Sequence, residues 1–302
     1  MSCKECISKP AIVLKENNRK LCKKHFIEYF EKKAYRTISS YSMISKKDKI
    51  AVAVSGGKDS ISCLYILNKL CKRMRIPCEA ILINEGIRGY RDNTIKDAKK
   101  FCTLNNIELH IFSFEKEFKM PLDKMIKKMG KKPCSICGVF RRFLLNKKAK
   151  ELGFTKLATG HNLDDECQSI IMNQFRSNME TSARLGPITG IVKDKKFITR
   201  IKPFYFLTEK ETAAYAFLMG FPVSFNECPY VNQSFRGDIR DMLNDFEAGH
   251  PGIKHNIVKS FIEILPELKK KYAKTTKSYC SICGEPATGK ICKACQLIEV
   301  IE

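Results

Sequence analysis

Ser55-Gly56-Gly57-Lys58-Asp59-Ser60 follows the apolar run Ile50-Ala51-Val52-Ala53-Val54 and precedes Ile61-Ser62-Cys63-Leu64-Tyr65-Ile66-Leu67. A short, β-branched apolar run suits a buried parallel strand, and the residues after the loop suit an amphipathic helix. Strand, glycine turn and helix in that order predict a phosphate cradle. Two glycines let the backbone approach an anion, and the helix start offers unpaired N–H groups and the positive end of its dipole. The loop is not G-x-x-x-x-G-K-[ST], whose lysine immediately precedes the hydroxyl residue. Asp59 separates Lys58 from Ser60, so Lys58 is expected to do no more than face solvent.

Outward from the loop, strands alternate with helices. Cys78–Asn84 reads as a second strand, 108–114 as a third and Leu157-Ala158-Thr159 as a fourth, with helices over 59–74, about 90–105 and from about Leu163. Strands separated by helices predict an α/β fold with a parallel sheet covered on both faces, which binds its ligand beyond the carboxyl ends of the strands. The stretch 197–206 is basic and β-like, 209–219 is an amphipathic helix, and two more helical patterns in 237–265 are divided near His250-Pro251-Gly252.

The 302 residues suffice for one large domain with appendages or for two domains. The chain carries 55 Lys and Arg against 32 Asp and Glu, a formal charge of +23. An excess this large favours a polyanionic partner, nucleic acid first, through counterion release. No signal-peptide pattern and no run of bilayer length are present, so no membrane role is expected and the location is expected to be cytoplasmic. The 15 cysteines are then metal ligands or reactive thiols rather than disulfides.

Their spacing supports this. Cys3-x-x-Cys6 and Cys22-x-x-His25 form two chelating pairs suited to a tetrahedral zinc knuckle, and Cys280-x-x-Cys283 with Cys292-x-x-Cys295 form a zinc ribbon with turns at Gly284 and Gly289. Closed four-ligand sites leave no open position, so both are folding staples or nucleic-acid grips. The expected division is a zinc finger over 1–30, a helical linker over 31–48, a catalytic domain over 49–265, and a linker with the ribbon over 266–302.

Two further stretches carry chemistry. The insert 116–150 holds twelve Lys or Arg and two acidic residues, which favours a phosphate-contact surface over a solvated helix face. Within it lies Pro133-Cys134-Ser135-Ile136-Cys137-Gly138-Val139-Phe140-Arg141-Arg142. A lone C-x-x-C is open to three readings: redox dithiol, half of a zinc site, or part of a cluster site. With the solitary Cys228 of Asn226-Glu227-Cys228-Pro229, three thiolates suit an iron-sulfur cluster, although a buried free thiol is the ordinary reading of a single cysteine. In Gly160-His161-Asn162-Leu163-Asp164-Asp165-Glu166, Asn162 or Asp164 can cap a helix, and Asp164 and Asp165 are candidates for magnesium binding or catalysis. His161 is assigned no chemistry.

Taken together, S-G-G-K-D-S, C-x-x-C-G, G-H-N-x-D-D-E, the lone Cys-Pro and the two terminal zinc patterns resemble the PP-loop ATP pyrophosphatases (adenine nucleotide alpha hydrolase-like), and among them the tRNA 2-thiolation enzymes of the TtuA type, whose relatives include the TtcA cytidine thiolases. The paired zinc modules favour the uridine branch. The resemblance implies ATP across Ala53, Ser55, Gly56, Gly57, Asp59, Ser60, Ile83, Gly160 and Asp165, with Mg²⁺ near its phosphates and adenine against the backbone at Ile83. It implies a 4Fe-4S cluster on Cys134, Cys137 and Cys228 with one iron open, and two Zn²⁺ in the terminal modules. Asp165 would be the catalytic carboxylate and Arg141 or Arg142 would neutralise developing charge. Relatives can carry lysine where Arg141 stands; arginine keeps the charge but does not readily act as a base. The implied partners are tRNA, a sulfur donor (sulfide, a cysteine desulfurase or a ubiquitin-like thiocarboxylate carrier) and a second copy of the chain. The rival expectations are the same adenylation with a persulfide on Cys134 or Cys137 and no cluster, and a zinc-ribbon nucleic-acid-binding protein whose nucleotide core is only regulatory.

Overall fold

The computed structural model describes residues 2–14, 18–130, 132–191, 196–223, 228–230, 235–273, 278–287 and 289–301. Asn226 and Glu227, Lys131 of the basic insert, and 274–277 of the expected linker fall outside that set. The chain opens with the hairpin β1 (Ile12–Leu14) and β2 (Arg19–Leu21), followed by helix α1 (Lys23–Ser40). The alternating core then runs β3 (Ile50–Val54), α2 (Lys58–Met74), β4 (Cys78–Asn84), α3 (Arg91–Asn105) and β5 (Leu109–Ser113). The basic insert folds as α4 (Phe114–Phe118), α5 (Leu122–Met129) and α6 (Pro133–Glu151), leading to β6 (Lys156–Thr159) and α7 (Leu163–Phe175). Next come α8 (Met179–Ala183), β7 (Thr199–Ile201), α9 (Glu209–Met219), α10 (Phe235–Gly249) and α11 (Ile253–Tyr272). The ribbon is β8 (Ser278–Tyr279), β9 (Pro286–Ala287) and α12 (Lys293–Ile301).

Five strands form one parallel sheet in the order β5-β4-β3-β6-β7. The basic stretch expected to be β-like supplies its edge strand, β7. Along β3 the side chains alternate faces: Ile50, Val52 and Val54 join the core built with α1, α2 and α9, while Ala51 faces the core of α4 to α6 and the ribbon. Both faces are therefore buried, as the unbroken apolar strand requires. Strand order reverses between β3 and β6, and the crevice at such a switch point is where a ligand binds.

Two expected boundaries differ. Helix α1 runs through residues 30 and 31 without a break and is part of the core: Phe26, Phe30, Ala34 and Ile38 are buried, Phe30 stacks on Tyr215 at 4.1 Å, and Glu31 accepts from Tyr215 and Lys69. Such aromatic burial contributes about 1.5–3 kcal/mol per side chain, more than a free linker would offer. Helix α11 continues past Pro266 to Tyr272 because one side of it, Val258, Phe261 and Leu265, is buried against α7 and α8. Packing on that face offsets the backbone bond that proline removes. As expected, α10 and α11 are divided at Gly252, whose φ of +96° suits glycine.

Candidate active site and metal centres

The glycine loop sits at the carboxyl end of β3. Gly57 precedes the first residue of α2, and the hydroxyl of Ser60 donates to the Gly57 carbonyl at 3.0 Å and accepts from the Ser55 N–H at 3.1 Å. Gly56 has φ +86°, and a Cβ there would lie 2.1 Å from the Thr94 carbonyl oxygen. Only glycine fits. Gly160, at the end of β6, faces the same helix start: a Cβ on it would lie 2.7 Å from the carbonyl carbon and oxygen of Asp59 and 2.9 Å from the Ser60 nitrogen.

Lys58 departs from the expectation that it faces solvent. Its ammonium is mostly buried and bonds Asp59 and Glu209, each at 2.9 Å. Burial alone would lower its pKa, but the two carboxylates outweigh that and raise it. Lys58 thus ties α2 to α9. Asp59 also accepts from the Asn162 side-chain amide at 3.1 Å, and burial pushes its carboxyl above the ordinary range against the pull of Lys58.

The three acids after Asn162 separate into three environments. Asp164 is buried, accepting from Lys254 at 2.5 Å and from the Glu209 N–H at 2.7 Å; it is committed to structure, which corrects the expectation of a magnesium or catalytic role. Glu166 is equally committed, paired with buried Lys202 at 2.6 Å. Asp165 alone keeps a partly open carboxylate, with side-chain exposure of 34 % and Arg236 3.7 Å away. It closes a capping box with Asn162. The cleft strips part of its hydration, which raises its pKa to about 7 against the pull of Arg236, with the charge of Asp59 adding to the rise. Beside it His161 shares a 2.8 Å hydrogen bond with Thr159, and desolvation and then Lys202, Arg141, Arg236 and Arg200 hold its pKa well below the usual range.

The loop is linked to the cysteine-bearing helix through residues the sequence did not single out. Buried Arg91 donates to the carbonyls of Ser55 at 2.7 Å and Ile83 at 2.5 Å and pairs with buried Glu85 at 2.7 Å. Glu85 in turn lies 3.7 Å from Arg141, one turn beyond Cys137 on α6. The Ile83 carbonyl is therefore already engaged. The only sequence hint was the pair of arginines just after β4, Arg88 and Arg91, which no short motif marks. Ala53, one residue before the end of β3, lies half-buried under this cleft.

Cys134 and Cys137 occupy the first turns of α6, and Cys228 is carried to them by a separate segment. The Cys134 thiol donates to the Tyr230 carbonyl at 3.7 Å, and the Tyr230 hydroxyl donates to Asp123 of α5 at 2.8 Å. That anchor brings Cys228 to the pair. Desolvation pushes the Cys137 thiol up to about 12 against the pull of Arg141, and likewise raises Cys228. A multinuclear cation would invert this by stabilising thiolates. Among the described residues these three sulfurs are not packed within the 4.8 Å that marks the two terminal quartets. Three sulfur donors are the ligand chemistry of an iron-sulfur cluster.

The terminal quartets converge as one ion requires. Cys3, Cys6, Cys22 and His25, and separately Cys280, Cys283, Cys292 and Cys295, place their ligand atoms within 4.8 Å of one another. The sulfurs of Cys6 and Cys22 are 3.9 Å apart and those of Cys283 and Cys292 3.7 Å, against about 3.8 Å for two vertices of a tetrahedron with 2.3 Å zinc–sulfur bonds. His25 turns Nδ1 inward, 3.4 Å from Cys3 and from Cys22. Part of the basic insert serves the ribbon: Lys150 pairs with Glu285 and Lys128 donates to the Ile301 carbonyl. Among the described residues no helix is long and apolar enough to cross a membrane.

Residues 26–245 match the PP-loop domain family. The chain is 38% identical over 300 residues to a tRNA-5-methyluridine(54) 2-sulfurtransferase of Pyrococcus horikoshii, covering 98% of this chain and 93% of that one. It is 34% identical over 312 residues to cytoplasmic tRNA 2-thiolation protein 1 of Saccharomyces cerevisiae, covering 99% and 86%. The solved U34-tRNA thiolase NcsA of Methanococcus maripaludis, determined with its [4Fe-4S] cluster, superposes with a TM-score of 0.85 at 33% identity, covering 99% of this chain and 96% of that one.

Proposed function

Because the chain belongs to the PP-loop domain family, and within it to the tRNA thiolation enzymes of the TtuA and NcsA type, we propose that it is an ATP-dependent tRNA 2-sulfurtransferase acting at the cleft between β3 and β6. It works in the cytoplasm, as the name of its yeast relative states for that protein. One observation carries the reading beyond the family: the unbroken contact chain Ser55, Arg91, Glu85, Arg141, which ties the phosphate loop to the helix bearing Cys134 and Cys137. An adenylating loop and a sulfur-handling thiol set held in rigid register suit a two-step exchange on one base.

In the first step the uridine C2 oxygen attacks the α-phosphorus of ATP, the bond to the β-phosphate oxygen breaks, and pyrophosphate leaves. Ser55, Gly56, Gly57 and Ser60 hold the departing pyrophosphate through backbone N–H groups and hydroxyls at the start of α2. Asp59, Gly160 and Ala53 complete the nucleotide floor, and the backbone around Ile83 receives the adenine, with Arg91 already fixing that strand end. A carbonyl oxygen is a poor leaving group until adenylation makes it a good one. In the second step a sulfur nucleophile bonds to C2, and AMP departs with the original oxygen.

Asp165, poised near neutral pH, is the group that accepts or orients the proton lost during the exchange. Arg141 offsets charge developing at the phosphorus. Asp165 would hold Mg²⁺ beside the nucleotide phosphates, where the ion would offset their charge, and each terminal quartet would hold one Zn²⁺ as a folding staple. Cys134, Cys137 and Cys228 fit a 4Fe-4S cluster by donor type, and when bound that group would supply an open iron to hold sulfide. The sulfur comes from sulfide or a ubiquitin-like thiocarboxylate carrier, and the working unit is a homodimer. The domains are those set out above, with α1 counted into the catalytic body.

The test is anaerobic purification, iron and sulfide analysis, and reaction with ATP, Mg²⁺, sulfide and unmodified tRNA. Mass-spectrometric mapping of nucleosides is expected to show ATP-dependent 2-thiouridine at one position. Full activity from iron-free protein would replace the cluster by a persulfide, and tRNA binding without any ATP-dependent thiolation would sink the enzyme reading.

A further inference from the structure

Beyond the glycine loop, on the far side of β6, two arginines from different elements lie together. Arg200 lies on the edge strand β7, in register with Leu157 of β6, and its guanidinium donates to the Arg142 carbonyl on α6 at 3.2 Å. The Arg142 guanidinium folds back over Gly138, where a Cβ would come within 3.1 Å of one terminal nitrogen and 3.3 Å of the other. The missing side chain at Gly138 is the seat of Arg142. Among the described residues neither guanidinium meets a carboxylate, and Arg142 makes no hydrogen bond through its fork. The neighbouring arginines differ: Arg91 and Arg141 meet Glu85, and Arg236 meets Gln168 at 3.0 Å and Asp165.

Two forks without acidic partners, held near each other, repel. Partial loss of hydration and then the charge of Arg142 pull Arg200 down to about 10, and Arg141 likewise lowers Arg142 after its own partial loss of hydration. Arg142 is exposed and Arg200 half-buried, so both stay within reach of an anion, which would offset their mutual repulsion. A planar fork matches phosphate oxygens bidentately.

We propose that Arg142 and Arg200 form a second anion site, separate from the nucleotide loop, which grips a backbone phosphodiester of the tRNA beside the uridine being thiolated. This rests on the tRNA-thiolation reading. The alternative source of phosphate, ATP itself, is disfavoured by position: its pyrophosphate belongs to the start of α2 between β3 and β6, whereas this pair lies one strand further out. With the base at the α-phosphate and the backbone on the arginines, the uridine would be held at both ends, which is the positioning an adenylation of a weak nucleophile requires.

The test uses the full-length protein, Arg142→Gln and Arg200→Gln singly and together, and Arg142→Lys, which keeps charge but loses the fork. Circular dichroism and zinc content verify folding. Each glutamine variant is expected to raise KM for tRNA about tenfold, the loss of one charge-assisted bond, and to lower the slope of log K against log salt by about 0.7–0.9. KM for ATP should stay at the wild-type value, and Arg142→Lys should restore the salt slope but not the full affinity. Ethylation of one tRNA phosphate should impair wild type and leave the double variant unaffected. A rise in KM for ATP with tRNA affinity intact would assign the pair to the nucleotide and overturn the proposal, as would wild-type values throughout. If wild type binds tRNA with the arginine-dependent slope yet thiolates nothing, the anion site stands and the enzyme reading fails.

Discussion

Gly160→Ala separates close packing from backbone conformation, because Gly160 is not among the positive-φ residues and alanine would be unstrained there. The added Cβ would meet the Asp59 carbonyl carbon at 2.7 Å. Relief to an ordinary carbon–carbon separation of about 3.5 Å means moving β6 and the start of α2 apart by about 0.8 Å. Overpacking of this kind costs about 1–3 kcal/mol of stability. The larger effect falls on the reaction: a misplacement near 1 Å can cost about 100-fold, so kcat/KM for ATP should drop roughly 10- to 100-fold, about 1.4–2.7 kcal/mol of transition-state binding. The assay is tRNA-dependent pyrophosphate release with ATP varied, beside thermal unfolding. Gly249→Ala is the control, since nothing lies within 4 Å of a Cβ there. A Gly160→Ala enzyme with wild-type kcat/KM and melting temperature would refute the idea that contact between β6 and the helix start sets the loop.

Other perturbations follow from the same geometry. Asp165 carries a pKa raised to about 7, so below that value the folded protein holds a proton that the unfolded chain releases, and stability falls as pH rises from the ordinary carboxylate range through 7. Asp165→Asn should therefore raise the melting temperature at pH 8 but not at pH 3.5, while abolishing thiolation and leaving tRNA binding largely intact; equal shifts at both pH values would contradict the burial argument. Lys254→Ala strands buried Asp164 and should destabilise by about 3–5 kcal/mol, read by chemical denaturation, whereas Lys254→Met with Asp164→Leu should recover much of that. Cys292→Ser should cut bound zinc by half and loosen α12 from α5 and α6, seen as faster amide exchange in α6 and weaker tRNA binding before any change in ATP affinity; unchanged exchange would show that the ribbon does not brace that helix.

The glycine loop, both terminal ligand quartets and the alternation of strands and helices were legible because each is a short-range requirement: a phosphate cradle needs strand, glycine and helix in succession, and a tetrahedral ion needs pairs of ligands about a turn apart. The same locality explains the misreadings. Proline at 266 and the charge-rich surface of α1 resembled linkers, and only the buried faces of those helices against α7, α8 and α9 decided otherwise. Nor could three successive acids be told apart by spacing. Asp164 was claimed by Lys254, ninety residues away, and Glu166 by Lys202, leaving Asp165 as the one with an open carboxylate.

By itself, the sequence determined what kind of chemistry each local motif is suited to: an anion cradle at Ser55 to Ser60, metal-ligand quartets at the ends, and sulfur donors at Cys134, Cys137 and Cys228. Tertiary structure decided which of these meet and which charges remain free to act. Lys58 became a buried tie, Arg91 and Glu85 became the link between loop and cysteines, Asp123 and Tyr230 brought Cys228 to its pair, and among the described residues Arg142 and Arg200 were left with no acid to neutralise them. The physical reason is one of range. Backbone geometry and chelation act over a few residues, whereas burial and pairing of charge depend on which distant segments the core brings together.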